Sequence, residues 1–271
     1  MATSGLISVM ERAARKAGPL LRRDFGEVQH LQVSRKGPAD FVSIADKRSE
    51  QTLYEVLKHA RPDWGFLGEE SGSIPGDPTK PRWIVDPLDG TSNFLHAIPH
   101  FAISIAVEEP KADGTGEITQ ALVYQPITDE SFWAEKGRGA WLHDSRLRVS
   151  SRRNLNEALI ATGIPFAGHG DFDQWQAIFR QIAPEVAGTR RFGAAALDLA
   201  WVAAGRFDAY WEADIYPWDV AAGMLLVREA GGFVTDFRGG DRPVERREFL
   251  AANGGLHSKL HRLVATALKN I

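Results

Sequence analysis

An apolar run that stops on two carboxylates constrains this chain more than any other feature. Trp83-Ile84-Val85 reads as the end of a strand, and Asp86-Pro87-Leu88-Asp89-Gly90-Thr91 follows at once. Asp86 and Asp89 then stand at the mouth of that strand. An Asp-Gly turn signal comes next, with Ser92 and Asn93 behind Thr91. Burying the strand gathers negative charge at its end. Such an end suits a divalent cation held against a phosphate, because Mg2+ takes oxygen ligands, keeps several waters and needs few carboxylates besides the substrate.

Composition narrows the setting. The 271 residues are 44% hydrophobic and 25% charged, ordinary for a soluble globular chain, and their number allows one large domain or two intimate ones. A formal net charge of -3 gives no general electrostatic reason to bind nucleic acid or an anionic membrane. The absence of cysteine excludes disulfides, thiol nucleophiles and thiolate zinc sites. Met1 to Leu20 mixes charges among its apolar positions and lacks a signal-peptide core. No segment approaches the roughly 20 apolar residues of a membrane span. A cytoplasmic location is the expectation.

Apolar spacing predicts a helix from Leu6 to Phe25, with Pro19 placed to bend or interrupt it, and a second from about Ile44 to Arg61. Lys36 to Asp40 reads as a loop around Gly37-Pro38, and Ser73 to Pro81 as an exposed loop. Strands are expected at Arg82 to Val85, Phe101 to Val107, Ile118 to Tyr124, Ser131 to Glu135 and Trp141 to Val149. Polar Ser150 to Asn156 is the candidate seam between an N-terminal α+β half, 1–150, and a C-terminal α/β half, 151–271. In the second half, strands at Leu159 to Thr162, Phe207 to Trp211, Phe233 to Phe237 and Phe249 to Ala252 alternate with helices. Those helices are Asp173 to Ile182, Ala194 to Ala204, Trp218 to Ala230 and Leu256 to Leu268. Pro217 and Gly231-Gly232 bracket the third of them in the Pro-first, Gly-last order. The alternation predicts layered α/β packing. Trp83, Trp201 and Trp218 read as core, and His96 and His100 are given no catalytic role.

Five acids sit at element ends: Asp46, Glu69, Asp86, Asp89 and Asp219. Singly, each has an ordinary explanation. Asp46 and Asp219 complement a helix dipole, Asp89 belongs to a turn, and Glu69-Glu70 is solvated. Their order along the chain says more. Gly68-Glu69-Glu70-Ser71, then Trp83 to Phe94, then Pro217-Trp218-Asp219-Val220-Ala221-Ala222-Gly223 resembles the inositol monophosphatase family. Arg191 to Ala200 and Leu226 to Gly232 are similar to the same family, so the resemblance runs from about Leu6 to Leu268.

The resemblance implies a mixed α/β (α+β) fold, a layered αβαβα sandwich shared with fructose-1,6-bisphosphatases and usually dimeric. The N-terminal half would carry most metal ligands and the C-terminal half Asp219 and the substrate loop. It implies a Mg2+-dependent, lithium-sensitive phosphatase acting on myo-inositol monophosphate or a related small polyol phosphate. In that pattern Glu69 and Asp86, with the main-chain oxygen of Leu88, hold one cation, and Asp86, Asp89 and Asp219 hold a second. Asp46 works with Thr91 on the attacking water and reaches a weaker third ion. Gly90 and Thr91 present amides to phosphate oxygens. Gly193, Ala194 and Ala195 form a loop toward substrate hydroxyls; Ala194 stands where many relatives carry Ser or Thr, so one side-chain contact is missing. Glu212 accepts hydrogen bonds from the polyol. Histidinol phosphate and fructose 1,6-bisphosphate are the alternative substrates. A regulatory partnership with the transcription and ribosomal-RNA machinery is the alternative role, and a membrane is not among the expected partners.

Overall fold

The computed structural model describes residues 4–27, 33–35, 41–166, 168–269 and 271, with backbone alone at 33–35 and 41–43. The Lys36 to Asp40 loop lies outside the described residues. Helix α1 (Gly5–Gly26) begins where Ser4 Oγ accepts from the Ile7 amide, an N-cap bond. Ile7, Met10, Ala13, Ala14, Ala17 and Leu21 recur at helical spacing and are buried, and the helix runs on through Pro19. Short strands β1 (Val33–Arg35) and β2 (Phe41–Ser43) pair antiparallel before α2 (Ile44–Ala60). Pro62 lies just past the end of α2, where it cannot continue the helix.

The large sheet takes β3 (Gly65–Gly68), β4 (Gly72–Ile74) and β5 (Arg82–Asp89) and then, after the short helix α3 (Thr91–Leu95), five more strands. These are β6 (Ala102–Pro110), β7 (Gly116–Gln125), β8 (Glu130–Glu135), β9 (Gly139–Leu142) and β10 (Ser145–Arg146). Its order is β10-β9-β8-β7-β6-β5-β3-β4, antiparallel throughout except that β3 runs parallel to β5. The strands separate their side chains by the two-residue period. Trp83, Val85, Ile103, Ile105, Val107, Leu122 and Tyr124 join the core under α1 and α2. Ile84, Ala102, Ala106, Ala121, Val123, Phe132 and Ala134 face the other way.

The second half supplies β11 (Leu159–Thr162), α4 (Phe172–Ile182), β12 (Gly188–Arg190), α5 (Ala195–Ala203), β13 (Ala209–Ala213), α6 (Pro217–Glu229), β14 (Phe233–Thr235), α7 (Pro243–Arg246), β15 (Glu248–Ala252) and α8 (His257–Leu268). Its sheet has the order β12-β11-β13-β15-β14, mixed in direction. Helices α5 and α6 lie between the two sheets, and their core includes Ile84 and Phe132 from one sheet with Tyr210, Phe249 and Ala251 from the other. Helices α4 and α8 cover the outer face of the small sheet, over Ile160, Trp211 and Leu250. The layers therefore run α-β-α-β-α, as expected. Among the described residues no helix is long and apolar enough to cross a membrane.

Three local readings change. The expected strand from Trp141 to Val149 is a hairpin, because His143 takes a left-handed φ of 52° and turns the chain back between β9 and β10. The expected loop from Ser73 opens as an edge strand, with Ser73 and Ile74 opposite Leu67 and Phe66. Strand β13 sits two residues later than Phe207 to Trp211.

The middle layer is tight where α5 meets α6. A Cβ on Gly223 would stand 2.4 Å from Leu199 Cβ. We expect Gly223→Ala to destabilise the protein by about 1–3 kcal/mol, the usual cost of overpacking. Urea unfolding measures it, and an unchanged midpoint would mean that the two helices part freely.

Candidate metal and substrate site

Strand β5 stops being regular where its acids begin. Pro87 has no amide to give the ladder, and the pairing with β6 shifts register between Asp86 and Asp89. Asp86 stays opposite Ser104 and Asp89 opposite Ala102. The bulge is fastened from both sides. Ser49 Oγ of α2 donates to the Pro87 carbonyl at 2.8 Å, and the Leu88 amide donates to Asp86 Oδ1 at 2.9 Å. Gly90 then adopts a left-handed φ of 93°, where a Cβ would meet the His100 carbonyl at 2.9 Å. Thr91 Oγ1 donates to the Leu88 carbonyl at 3.0 Å; a carbonyl has a second lone pair for another partner.

The other acids arrive from separate elements. Asp89 accepts from the Ala195 amide at 3.2 Å and the Ala196 amide at 2.8 Å, the free donors that begin α5. Asp219, in the first turn of α6, accepts from the Tyr216 amide at 2.9 Å, an N3 side chain reaching back to its N-cap. Ser104 Oγ donates to the Trp218 carbonyl at 3.1 Å and so ties the start of α6 to the strand opposite Asp86. As a result, ligand oxygens of Asp86, Asp89 and Asp219 all lie within 4.8 Å of one another. Glu69 follows β3, and its amide donates to Val85, beside Asp86. It is outside that tight group but lines the same cleft.

The cleft holds about 420 Å³. Of the residues singled out from the sequence, Glu69, Asp89, Gly90, Thr91, Gly193, Ala194, Ala195, Glu212 and Asp219 line it. Asp86 and Leu88 are buried and contribute from beneath, and Asp46 is buried in the first turn of α2 without lining the cleft. Burial, then repulsion from Glu69, Asp89 and Asp219, pushes the Asp86 carboxyl well above its ordinary range. Asp219 moves the same way through burial, then Asp89 and Glu69. Burial raises Asp89 to about 7, although the Ala196 amide pulls the other way. A hard divalent cation fits this place: the donors are carboxylate and carbonyl oxygens, and the acids repel one another in a poorly solvated pocket.

Glu212 on β13 lines the same cleft and is raised to about 7 by burial, opposed by a hydrogen bond from the Tyr210 hydroxyl and by the Arg191 charge; its own charge adds to the rise of Asp89 and Asp219. Sequence reasoning missed the glycine that makes room for it. A Cβ on Gly163 would stand 1.8 Å from Glu212 Oε1. The available signal was a glycine directly after an apolar strand. Asp198 was missed too, because a buried acid inside the apolar α5 looks like a dipole complement. It lines the cleft, and burial followed by Asp89 and Glu212 raises its carboxyl well above the usual range. Of the three tryptophans read as core, Trp83 is fully buried, whereas Trp218 lines the cleft and stacks on Tyr216 at 4.9 Å. His100 packs against Phe192 and Trp201, and burial lowers its imidazole to about 4.

A profile of the inositol monophosphatase family matches residues 3–271. The chain is 53% identical over 264 residues to an inositol-1-monophosphatase of Rhizobium meliloti, covering 97% of each. It is 43% identical over 252 residues to a Nus factor SuhB of Pseudomonas aeruginosa, covering 92% of this chain and 91% of that one. The crystal structure of the extragenic suppressor protein suhB from Bartonella henselae superposes with a TM-score of 0.92 at 51% identity, over 96% of this chain and 98% of the other.

Proposed function

This chain belongs to the inositol monophosphatase family, and on that premise we propose that it is a Mg2+-dependent phosphomonoesterase acting on myo-inositol monophosphate or a close small polyol phosphate. The observation that carries the reading is the meeting of Asp86, Asp89 and Asp219 at a cleft that Glu212 also lines. Glu69, Asp86, Asp89 and Asp219, with the Leu88 carbonyl, would hold two cations, and Asp46 a third through water. Bound there, Mg2+ supplies the positive charge that phosphoryl transfer needs and helps a water act as nucleophile. The chain's own groups do the rest. Gly90 and Thr91 turn their amides to the phosphate oxygens, and Thr91 with Asp46 orients the attacking water. Residues 1–150 would thus supply most of the metal and phosphate contacts, and residues 151–271 Asp219 and the loop toward the polyol.

Glu212 is the group that selects a polyol. A carboxylate accepts from two neighbouring hydroxyls, and Gly163 leaves it the space. Glu212→Gln should raise KM for myo-inositol 1-phosphate about tenfold or more while Mg2+ activation stays unchanged, because one acceptor oxygen becomes a donor. Steady-state kinetics at varied substrate and Mg2+ decides it; a change confined to the Mg2+ dependence would move Glu212 to the metal end.

The direct test of function is phosphate release with Mg2+ from myo-inositol 1-phosphate, histidinol phosphate and fructose 1,6-bisphosphate. The first should give the highest kcat/KM. Preference for either of the others would reassign the substrate, and no Mg2+-stimulated release from any would end the proposal. The Nus-factor name of the Pseudomonas relative supports a second reading, in which this chain also joins a transcription complex. A pull-down of transcription factors with Asp89→Asn separates the two roles, since that role requires no turnover.

A further inference from the structure

Two non-glycine residues with left-handed backbones face each other beside the cleft: Asp214 at φ 63° and Arg247 at φ 56°. Both conformations are costly for residues with a Cβ and persist where surrounding bonds enforce them. Here the bonds are mutual. The Asp214 amide donates to the Arg247 carbonyl at 2.7 Å, and Arg247 Nη2 donates to the Asp214 carbonyl at 2.8 Å. The same Nη2 lies 2.7 Å from Asp214 Oδ1, and Nε donates to the Ile215 carbonyl at 3.4 Å. The guanidinium carbon sits 4.3 Å from the centroid of the Tyr216 ring, which stacks in turn on Trp218 with an interplanar angle of 6°.

Arg247 does not line the cleft, but the segment it grips does: Asp214, Ile215 and Tyr216 are all lining residues. The last of them gives its amide to Asp219. The ion pair is partly solvated, with side-chain exposures of 38% and 44%, so it adds little to stability. What the fork geometry supplies is direction: several donors from one planar group fix a turn that a point charge would leave loose.

We propose that Arg247 is a positioning residue for the metal end of the site. It holds the Asp214–Tyr216 turn so that the Tyr216 amide keeps Asp219 aimed at the acidic cluster. The inference rests on the metal reading above. Calorimetric titration of Mg2+ into the full-length protein tests it with wild type, Arg247→Ala, Arg247→Lys and Tyr216→Leu. Arg247→Ala should weaken Mg2+ binding about tenfold, with Lys restoring little of it and Tyr216→Leu giving a smaller loss in the same direction. The Mg2+ concentration for half-maximal rate should rise in parallel, while kcat at saturating Mg2+ returns close to wild type. A folded Arg247→Ala that binds Mg2+ as wild type does overturns the proposal. If Arg247→Ala does not fold, unchanged affinity in Tyr216→Leu overturns it instead. Wild-type protein that takes up no Mg2+ would sink the metal reading itself, and this inference with it.

Discussion

Asp219→Asn or Asp89→Asn should lower Mg2+-dependent phosphate release by about a thousandfold or more. Each change removes one charged ligand from a site whose contribution is charge neutralisation. Several kcal/mol of transition-state stabilisation is at stake, and roughly 1.4 kcal/mol is a factor of ten. The two variants should not be alike in structure. Asp219 gives one oxygen to the Tyr216 amide, and an asparagine keeps that acceptor. Asp89 uses both oxygens, one for Ala195 and one for Ala196. An asparagine there sets an NH2 against a backbone N–H at the start of α5, so this variant should also lose stability, by about 1–3 kcal/mol. Turnover at saturating substrate and Mg2+ is the measurement. Near-normal rates in either variant would take that residue out of the metal site.

The second large effect is on stability, in protein freed of metal. Asp89 has its carboxyl raised from 3.8 to about 7 and Glu212 from 4.5 to about 7, each chiefly by burial. A raised carboxyl binds its proton more tightly folded than unfolded. Its contribution is fully present below the unfolded value, near 4, and is lost as pH rises through about 7. For Asp89 alone that is on the order of 4 kcal/mol, and Asp86 and Asp219 shift in the same direction. The lowered carboxyls, such as Asp129 beside Tyr124 and Glu130 beside Arg206, act at more acid pH. The buried His100 and His257 imidazoles, both lowered, work in the opposite sense below about pH 6.5 but are outnumbered by the raised carboxyls of Asp86, Asp89, Glu212 and Asp219. In a chelator, the melting temperature should therefore fall between about pH 5 and pH 8. Millimolar Mg2+ should restore it at pH 8, where the carboxylates are ionised and free to bind. A metal-free protein that grows more stable across this range would contradict the description of the site.

Much of this was legible because side-chain periodicity is strong in long elements. The alternation in Phe101 to Val107 sorts residues to two faces, and the apolar stripe of α1 marks its buried side. The layer order came from the resemblance and from alternating element types. Short elements carried no such signal. Helix α3 has five residues and β12 three, too few for a period to appear, and β4 was hidden in a stretch dominated by Gly and Pro. The acids were legible singly as element ends, but their convergence depends on links between distant residues. Ser104 to Trp218 and Asp89 to Ala196 join positions more than 100 apart. Gly163 and Arg247 escaped notice for the same reason. One matters for the side chain it makes room for, and the other for a turn it grips.

The most direct test of the central claim is anomalous diffraction from crystals grown with Mn2+ in place of Mg2+ and soaked with myo-inositol 1-phosphate. The account predicts at least one peak about 2.0–2.2 Å from carboxylate oxygens of Asp86, Asp89 and Asp219, with the phosphate on the same ion and the inositol ring toward Glu212. Mn2+ bound elsewhere, with no peak among these three aspartates, would contradict it.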